Sequence, residues 1–326
     1  MYYLKYTYYP ITIIAFIMTT RRSFLRNSSL LALATFILKD TAAAKALLSG
    51  ASPRPIGLQL YTVNKLLADD LEGTLQKIAA IGYKELESAG SAKGNFYGLK
   101  PAELAKLVSG LGMHWRSAHV GGAPYKPQPG AKPLLGADGK PFSMPALPNL
   151  RDNYQQLVDA AAEGGISYLV CSSTPIGTLD EVHASIDVLN KTGAAAKAAG
   201  VTFAYHNHYH EFTPIDGQLP YDLILGQTDA NLVKMELDLA WATKGGQDPV
   251  ALFQKNPGRF PLWHTKDLST DHNTPVEVGK GIVDFKRIFA HADTAGLQYF
   301  FVEQDNAPQP LEDIQTSYTN LTKIVG

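Results

Sequence analysis

The sequence predicts an α/β fold, a single (β/α)₈ barrel, on three observations. Short apolar, β-rich segments alternate with amphipathic helical segments from residue 56 to residue 325. Eight such strand–helix units follow one another, within about the ~250 residues that a barrel of this type needs. The segment after the first strand, YTVNKLLADD, lacks the glycine-rich phosphate loop that would favour a doubly wound dinucleotide-binding sheet.

The eight units are read in chain order. Turn-forming residues mark ends of the predicted helices: Gly82 ends the first helix and Pro101 begins the second. The predicted strands are IGLQLYTV (56–63), YKELE (83–87), HWRSAHV (114–120), ISYLVCSS (166–173), VTFAYHNH (201–208), LVKMELD (232–238), FPLWHTKD (260–267) and QYFFVEQD (298–305). The predicted helices cover 69–82, 101–112, 149–165, 179–200, 221–228, 248–258, 284–296 and 310–325. The irregular segment 121–148 is too long for a plain connection, and we expect it to be a functional loop over the barrel mouth.

The N-terminal 44 residues do not fit the barrel pattern. Residues 18–44 carry Arg21-Arg22-Ser23-Phe24-Leu25, an apolar stretch and then Ala42-Ala43-Ala44, which resembles a twin-arginine export signal with its cleavage site. A generic secretory signal or an uncleaved anchor is the alternative. We therefore predict a signal peptide over 18–44, an exported and periplasmic catalytic domain over 45–326, and an upstream extension or disordered segment over 1–17.

The composition of the chain limits the classes of function that it can have. The net charge of −1 gives no support for a nucleic-acid partner, because proteins that bind phosphate backbones usually carry a basic excess. The apolar stretch of the leader is too short for a comfortable membrane span, so no stable span is expected after cleavage. The single cysteine, Cys171, excludes an intrachain disulfide. An oligomer remains possible.

Ligand-type residues gather at the carboxyl ends of the predicted strands, the end at which barrels of this type carry their active sites. Residues two apart on a strand share a face, so pairs such as His206 and His208 can both point to the barrel mouth. The residues at these ends are Glu85, Glu87, His119, His206, His208, Glu236, Asp238, His264, Lys266, Glu303 and Asp305. Carboxylates and imidazoles on neighbouring strands suit a borderline divalent ion, and Asp238, His264 and Glu303 are the favoured ligands.

For other residues of this group, a purely structural role is an open alternative to a role in the site. His119 is either a hydrogen-bonded rim residue or a substrate contact, and Glu85 is either a site residue or a solvated one. His210, beyond the fifth strand, is interpreted as an ordinary loop residue.

Taken in order, the segments GTLQKIAAIGYKELE, AHVG, AYHNHYHEF, ELDLAW, HTKD, VGKGIVDF and VEQD resemble the sugar phosphate isomerase/epimerase family. This family belongs to the xylose isomerase-like TIM-barrel superfamily, which also includes endonuclease IV and inosose dehydratase. In the ketose epimerases of the group, a Glu, an Asp, a His and a second Glu hold one metal. The resemblance implies that Asp238, His264 and Glu303 fill the last three places. His206 stands where those epimerases carry the first Glu, which argues against copying their two-carboxylate chemistry.

The expected mechanism follows from this ligand set. One divalent ion (Mn, Co, Zn, Fe or Mg), held by His206, Asp238, His264 and Glu303, would polarise a substrate carbonyl and stabilise an enolate. Glu303 or His208 is the expected base, and Lys266 the expected donor to a developing oxyanion or a hydroxyl. Glu87 and His119 are expected to contact hydroxyls, and Trp241 to pack on a sugar face. The partner is therefore a small carbohydrate or cyclitol.

The leading function is a sugar isomerase or epimerase acting on a sugar, keto-sugar or cyclitol. The alternatives are a lyase or hydratase that acts on 3-keto-glycosides or resembles inosose dehydratase, a non-catalytic carbohydrate-binding barrel, and an endonuclease IV-like hydrolase. The export signal argues against a sugar phosphate as the substrate, because such metabolites are mainly cytoplasmic.

Overall fold

The computed structural model describes residues 54–124 and 147–325. The predicted extension over 1–17, the predicted signal over 18–44 and most of the predicted loop over 121–148 lie outside these residues. Among the described residues, no helix has both the length and the apolar character needed to cross a membrane.

The described chain forms the predicted closed barrel of eight parallel strands. The barrel strands are β1 (Gly57–Gln59), β2 (Glu85–Ser88), β3 (His114–Gly121), β4 (Tyr168–Ser173), β5 (Thr202–His206), β6 (Val233–Asp238), β7 (Leu262–Thr265) and β10 (Tyr299–Val302). Around the barrel they lie in the order β1-β10-β7-β6-β5-β4-β3-β2. A short antiparallel pair, β8 (Asp267–Leu268) and β9 (Pro275–Val276), lies between β7 and β10 and outside the barrel.

Helices connect consecutive barrel strands, as the alternating pattern predicts. They are α1 (Asn64–Asp69), α2 (Leu71–Ile81), α3 (Pro101–Gly110), α4 (Leu150–Glu163), α5 (Leu179–Ala198), α6 (Pro220–Gln227), α7 (Leu239–Lys244), α8 (Pro249–Lys255), α9 (Phe285–Phe289), α10 (Ala292–Ala295) and α11 (Pro310–Val325).

Two layers of apolar side chains stabilise this arrangement. The main core lies between the strands and the surrounding helices. A smaller cluster of Tyr168, Val170, Ala204, Leu262 and Phe301 fills the barrel interior, with alternate residues of a strand pointing inward. The barrel is therefore packed on the inside, and polar groups are left to gather at the carboxyl ends of its strands.

Several strands are shorter than the sequence predicts. The first ends at Gln59, because the Gln59 side chain accepts a hydrogen bond from the backbone N–H of Tyr61 and starts a 3-10 helix, Leu60–Val63. The fifth ends at His206, so His208 lies beyond it. Asp238 accepts from the backbone N–H of Trp241 and begins helix α7, which the sequence pattern did not predict.

Candidate active site

Four barrel strands bring the predicted metal ligands to one place. His206 ends β5, Asp238 ends β6, His264 lies in β7 and Glu303 directly follows β10. The parallel ladder pairs Asp238 with His264 in register. All four side chains are buried, and one donor atom from each lies within 4.8 Å of those of the other three.

His264 lies between two carboxylates that approach its two ring nitrogens. Its Nδ1 atom is 2.8 Å from Oε2 of Glu303, and its Nε2 atom is 2.6 Å from Oε2 of Glu87. Burial opposes a charge on this imidazole, yet the neighbouring Glu236 and Glu303 raise the pKa of His264 well above its usual range. The ring is thus held in one orientation from both sides.

Lys266 is the buried cation of the site. Its Nζ atom lies 3.1 Å from Asp238, 2.8 Å from Glu303 and 2.6 Å from Asp305, and 4.8 Å from the ring of Trp241. Burial would lower the pKa of Lys266, but these three carboxylates raise it well above the usual value. Lys266 therefore stays charged and offsets the carboxylates that converge on it.

A second group of polar side chains lies beside the predicted ligands. Nε2 of His119 is 2.6 Å from Oε2 of Glu236 and 3.1 Å from Oε2 of Glu87. Nδ1 of His206 is 3.2 Å from the same Glu236 oxygen. Although burial opposes its charge, Glu87 and Glu236 raise the pKa of His119 to about 9. Glu236 is a predicted member of the site without a predicted role, and its spacing of two from Asp238 puts both on one face.

A cavity of about 300 Å³ opens beside these groups. It is lined by Tyr61, Ala89, Gly90, His119, Ser172, Ser173, His206, His208, Glu303 and Asp305. His208 faces this space without a side-chain hydrogen bond to a described residue. Burial and the charge of Lys266 lower its pKa to about 3, so its imidazole is neutral near neutral pH.

Three residues with predicted substrate roles lie elsewhere than expected. Glu87 is fully buried among four polar partners and does not line the cavity. The Trp241 ring packs beside Lys266 and Tyr209 instead of facing the cavity. The Lys266 ammonium is directed to three carboxylates and not to the open space. Conversely, Tyr61, Ser172 and Ser173 line the cavity but were not predicted to do so. The two serines end a predicted strand, the position that also predicts the ligands.

The residues present fit a divalent ion. Donor atoms about 2.0–2.2 Å from a shared ion are at most roughly 4.4 Å apart, close to the spread of these four groups. Two imidazoles and two carboxylates form a donor set typical of zinc and of similar borderline ions. Within the described residues, Nδ1 of His206 and Oδ2 of Asp238 are buried and make no hydrogen bond of good geometry, although Oε2 of Glu236 lies 3.2 Å from the first and Nζ of Lys266 lies 3.1 Å from the second.

Comparison with known proteins agrees with the fold described above. The family model described as "Xylose isomerase-like TIM barrel" matches residues 75–323. The chain belongs to the xylose isomerase-like TIM barrel family.

The curated relatives that this xylose isomerase-like chain matches first are named inosose dehydratase. The chain is 28% identical over 153 residues to an inosose dehydratase of Geobacillus thermodenitrificans. The matched region covers 41% of the chain and 51% of the relative. The chain thus spans about half the length of the curated relatives it matches first.

Solved structures of other proteins are also similar to this xylose isomerase-like barrel. A sugar phosphate isomerase/epimerase from Parabacteroides distasonis is 26% identical, covers 84% of the chain and 96% of its own length, and superposes with a TM-score of 0.67. The IOLI protein, solved with a bound zinc atom, shares the fold at 16% identity and a TM-score of 0.61, over 83% of the chain and 98% of its own length.

Proposed function

We propose that the chain is a divalent-metal-dependent enzyme that removes a proton next to a carbonyl group of a sugar, keto-sugar or cyclitol. One observation carries the proposal. His206, Asp238, His264 and Glu303 converge from four strands at a cavity whose walls also carry His119 and His208. The names of similar proteins, inosose dehydratase and sugar phosphate isomerase/epimerase, support this reaction class.

The four converging groups would hold the ion. When bound, it supplies Lewis-acid polarisation of the substrate carbonyl. Lys266 favours the ionised forms of Asp238 and Glu303 and fixes their positions, since its ammonium is buried between them. This interpretation gives Lys266 a charge-balancing role in place of the oxyanion contact that the sequence suggested.

His208 is the better placed of the two predicted bases. Its neutral ring lines the cavity, whereas Glu303 is already bound to His264 and Lys266. A neutral imidazole nitrogen can accept the α-proton. The low pKa of the ring makes it a weak base in the free chain, so we expect it to act only on an α-carbon whose carbonyl is polarised.

His119 is placed to act as the acid. Its ring lines the same cavity and is charged because Glu87 and Glu236 flank Nε2. Proton transfer from His119 to a β-hydroxyl would release it as water, while the α C–H electrons form the new C=C bond. Without a leaving group, return of a proton to carbon gives isomerisation or epimerisation instead. This unlike pair of histidines favours dehydration as the second candidate, in line with the relatives named inosose dehydratase.

The described cavity walls favour a substrate without a phosphate group. Among the described residues that line the cavity, none is a lysine or an arginine, and Glu303 and Asp305 add negative charge. A phosphate would find no lysine or arginine to pair with among these lining residues. The walls therefore suit a neutral polyol or keto-sugar better.

Solvent exchange tests the proposed function. The zinc-loaded chain is incubated in deuterated water with keto-sugars, 3-keto-glycosides and cyclitol ketones, and products are followed by mass spectrometry and NMR. We expect deuterium at the α-carbon or loss of water for at least one of them, and neither with His208→Asn. A carbohydrate-binding barrel would bind without exchange or elimination, and a nuclease would cleave abasic DNA instead. Either result would contradict the proposal.

A further inference from the structure

Glu87 is a buried carboxylate surrounded by polar partners. Gln59 donates from Nε2 to Oε2 of Glu87 at 2.7 Å, and the hydroxyl of Ser117 donates to Oε1. Oε2 also lies 2.6 Å from Nε2 of His264 and 3.1 Å from Nε2 of His119. The side chain is fully buried. Both oxygens are thus occupied, and Glu87, which lies on β2, is fixed by partners from strands β1, β3 and β7.

This arrangement distinguishes the two nitrogens of His264. The Nε2 side faces Glu87 at 2.6 Å, while the Nδ1 side faces the predicted ligands, with Glu303 at 2.8 Å. An ionised carboxylate accepts hydrogen bonds and cannot donate one, so in the metal-free chain both contacts require a proton, on Nε2 for Glu87 and on Nδ1 for Glu303. Glu303 is itself a predicted ligand, so a bound ion would take the place of the Nδ1 proton, whereas Glu87 would keep the proton on Nε2. In metal sites generally, such outer partners set the tautomer and orientation of a ligating histidine.

We propose that Glu87 is a positioning residue for the metal site: it keeps the proton on Nε2 of His264 and so presents Nδ1 as the ligand atom. Gln59 and Ser117 orient the carboxylate for this purpose. Glu87 acts through His264 and does not touch substrate, because its oxygens are buried and lie outside the cavity wall.

The same strand offers a matched control. Glu85 precedes Glu87 by two residues, is equally buried, and is bound to Arg116. The register shift between Leu86 and Glu87 separates the two carboxylates along β3. Loss of the Glu85 charge would disturb the fold about as much, but Glu85 has no contact with His264.

The inference rests on the metal site of the proposed function, and the test separates the two. Zn²⁺ alone is titrated by calorimetry into the wild type, Glu87→Met, Glu87→Gln and Glu85→Gln. We expect about 10- to 100-fold weaker zinc binding for Glu87→Met, which keeps the volume but has no acceptor. Glu87→Gln, whose carbonyl still accepts from Nε2, and Glu85→Gln should stay within about threefold of the wild type.

The tautomer itself gives a second readout. In ¹⁵N-histidine spectra of the zinc-saturated chain, the His264 signals should show a protonated Nε2 in the wild type and lose this preference in Glu87→Met. If Glu87→Met does not fold, Glu87→Asp, which withdraws the carboxylate by one methylene, should still weaken zinc binding by about tenfold.

Each negative result contradicts either the proposed function or the Glu87 inference. Wild-type chain that binds no zinc would contradict the proposed function, and the Glu87 inference with it. Wild-type binding that Glu87→Met and Glu87→Asp leave unchanged would overturn the inference alone. Equal losses in Glu85→Gln and Glu87→Met would show a general effect on folding and would also overturn it.

Discussion

The Nζ atom of Lys266 lies 2.8 Å from Oε2 of Glu303, and both side chains are buried. Asp238 and Asp305 approach the same ammonium group. Removing one partner of a buried ion pair leaves an uncompensated charge, which typically costs about 3–5 kcal/mol. We therefore expect Lys266→Met to lower the free energy of unfolding by about that amount, measured by urea denaturation in EDTA. Lys280→Met, which breaks an exposed pair with Glu277, should cost at most about 1 kcal/mol. Equal costs for the two variants would show that the Lys266 cluster is not needed for stability.

Gly281 packs where no side chain fits. A Cβ atom there would overlap the carbonyl oxygen of Leu268 and the carboxylate of Asp267. Asp267 accepts backbone N–H groups from Gly279, Gly281 and Val283, so the clash would disturb the whole turn. We expect Gly281→Ala to destabilise the chain by about 1–3 kcal/mol in thermal unfolding.

The control for this substitution is Gly226→Ala. Gly226 lies in helix α6 with open space around its Cα, and alanine there should be neutral or stabilise by up to about 1 kcal/mol. If Gly281→Ala does not lower the stability in thermal unfolding, the turn around Asp267 is not closely packed.

Tyr61 lines the cavity with half of its surface exposed. An exposed aromatic ring on a cavity wall can cover the apolar face of a sugar ring. Once a substrate is found, Tyr61→Ala should raise KM by about 5- to 10-fold, from about 1 kcal/mol of lost contact, with zinc affinity unchanged. Tyr61→Phe should stay near the wild type. A KM that does not move in Tyr61→Ala would exclude this contact.

Glu211 is buried behind the site, where its Oε1 accepts a hydrogen bond from the hydroxyl of Tyr205. Burial raises the pKa of Glu211 above its usual value. The folded chain therefore binds this proton more tightly than the unfolded chain does. The stabilising effect is present below the unfolded pKa and is lost as pH rises through the folded pKa.

We thus expect Glu211→Gln to raise the melting temperature near pH 7 and to have little effect near pH 4, relative to the wild type. Calorimetric scans from about pH 4 to about pH 8 measure the difference. A difference that does not depend on pH would contradict a raised pKa.

The barrel was predictable because its signal is local. Apolar runs bounded by turn residues mark strands whether or not their neighbours are known. The parallel order then places the strand ends Asp238, His264 and Glu303 on one side. By contrast, the end of the first strand depends on the Gln59 side chain meeting the Tyr61 backbone, a contact that no pattern of hydrophobicity reports.

The contacts between side chains of different strands could not be predicted from the sequence. Glu85 could have been a solvated residue, but it is buried because Arg116 on β3 reaches it. Glu87 was expected to meet substrate, yet Gln59, Ser117 and His264 come from three other strands to enclose it. Such contacts depend on strand register and depth in the barrel, which residue spacing alone does not determine.

Metal binding by Asp238 tests the central claim most directly. Asp238 both faces the predicted ion and caps helix α7, and asparagine keeps the cap while it removes the charge. Asp248→Asn is the control, since Asp248 caps the next helix on the surface. Because outer partners alone change metal affinity by about 10- to 100-fold, loss of a ligand charge should cost at least about 100-fold. Equilibrium dialysis followed by elemental analysis should find one divalent ion per wild-type and Asp248→Asn chain, and none retained by Asp238→Asn. A wild-type chain without an ion, or an Asp238→Asn chain that keeps it, would contradict the account.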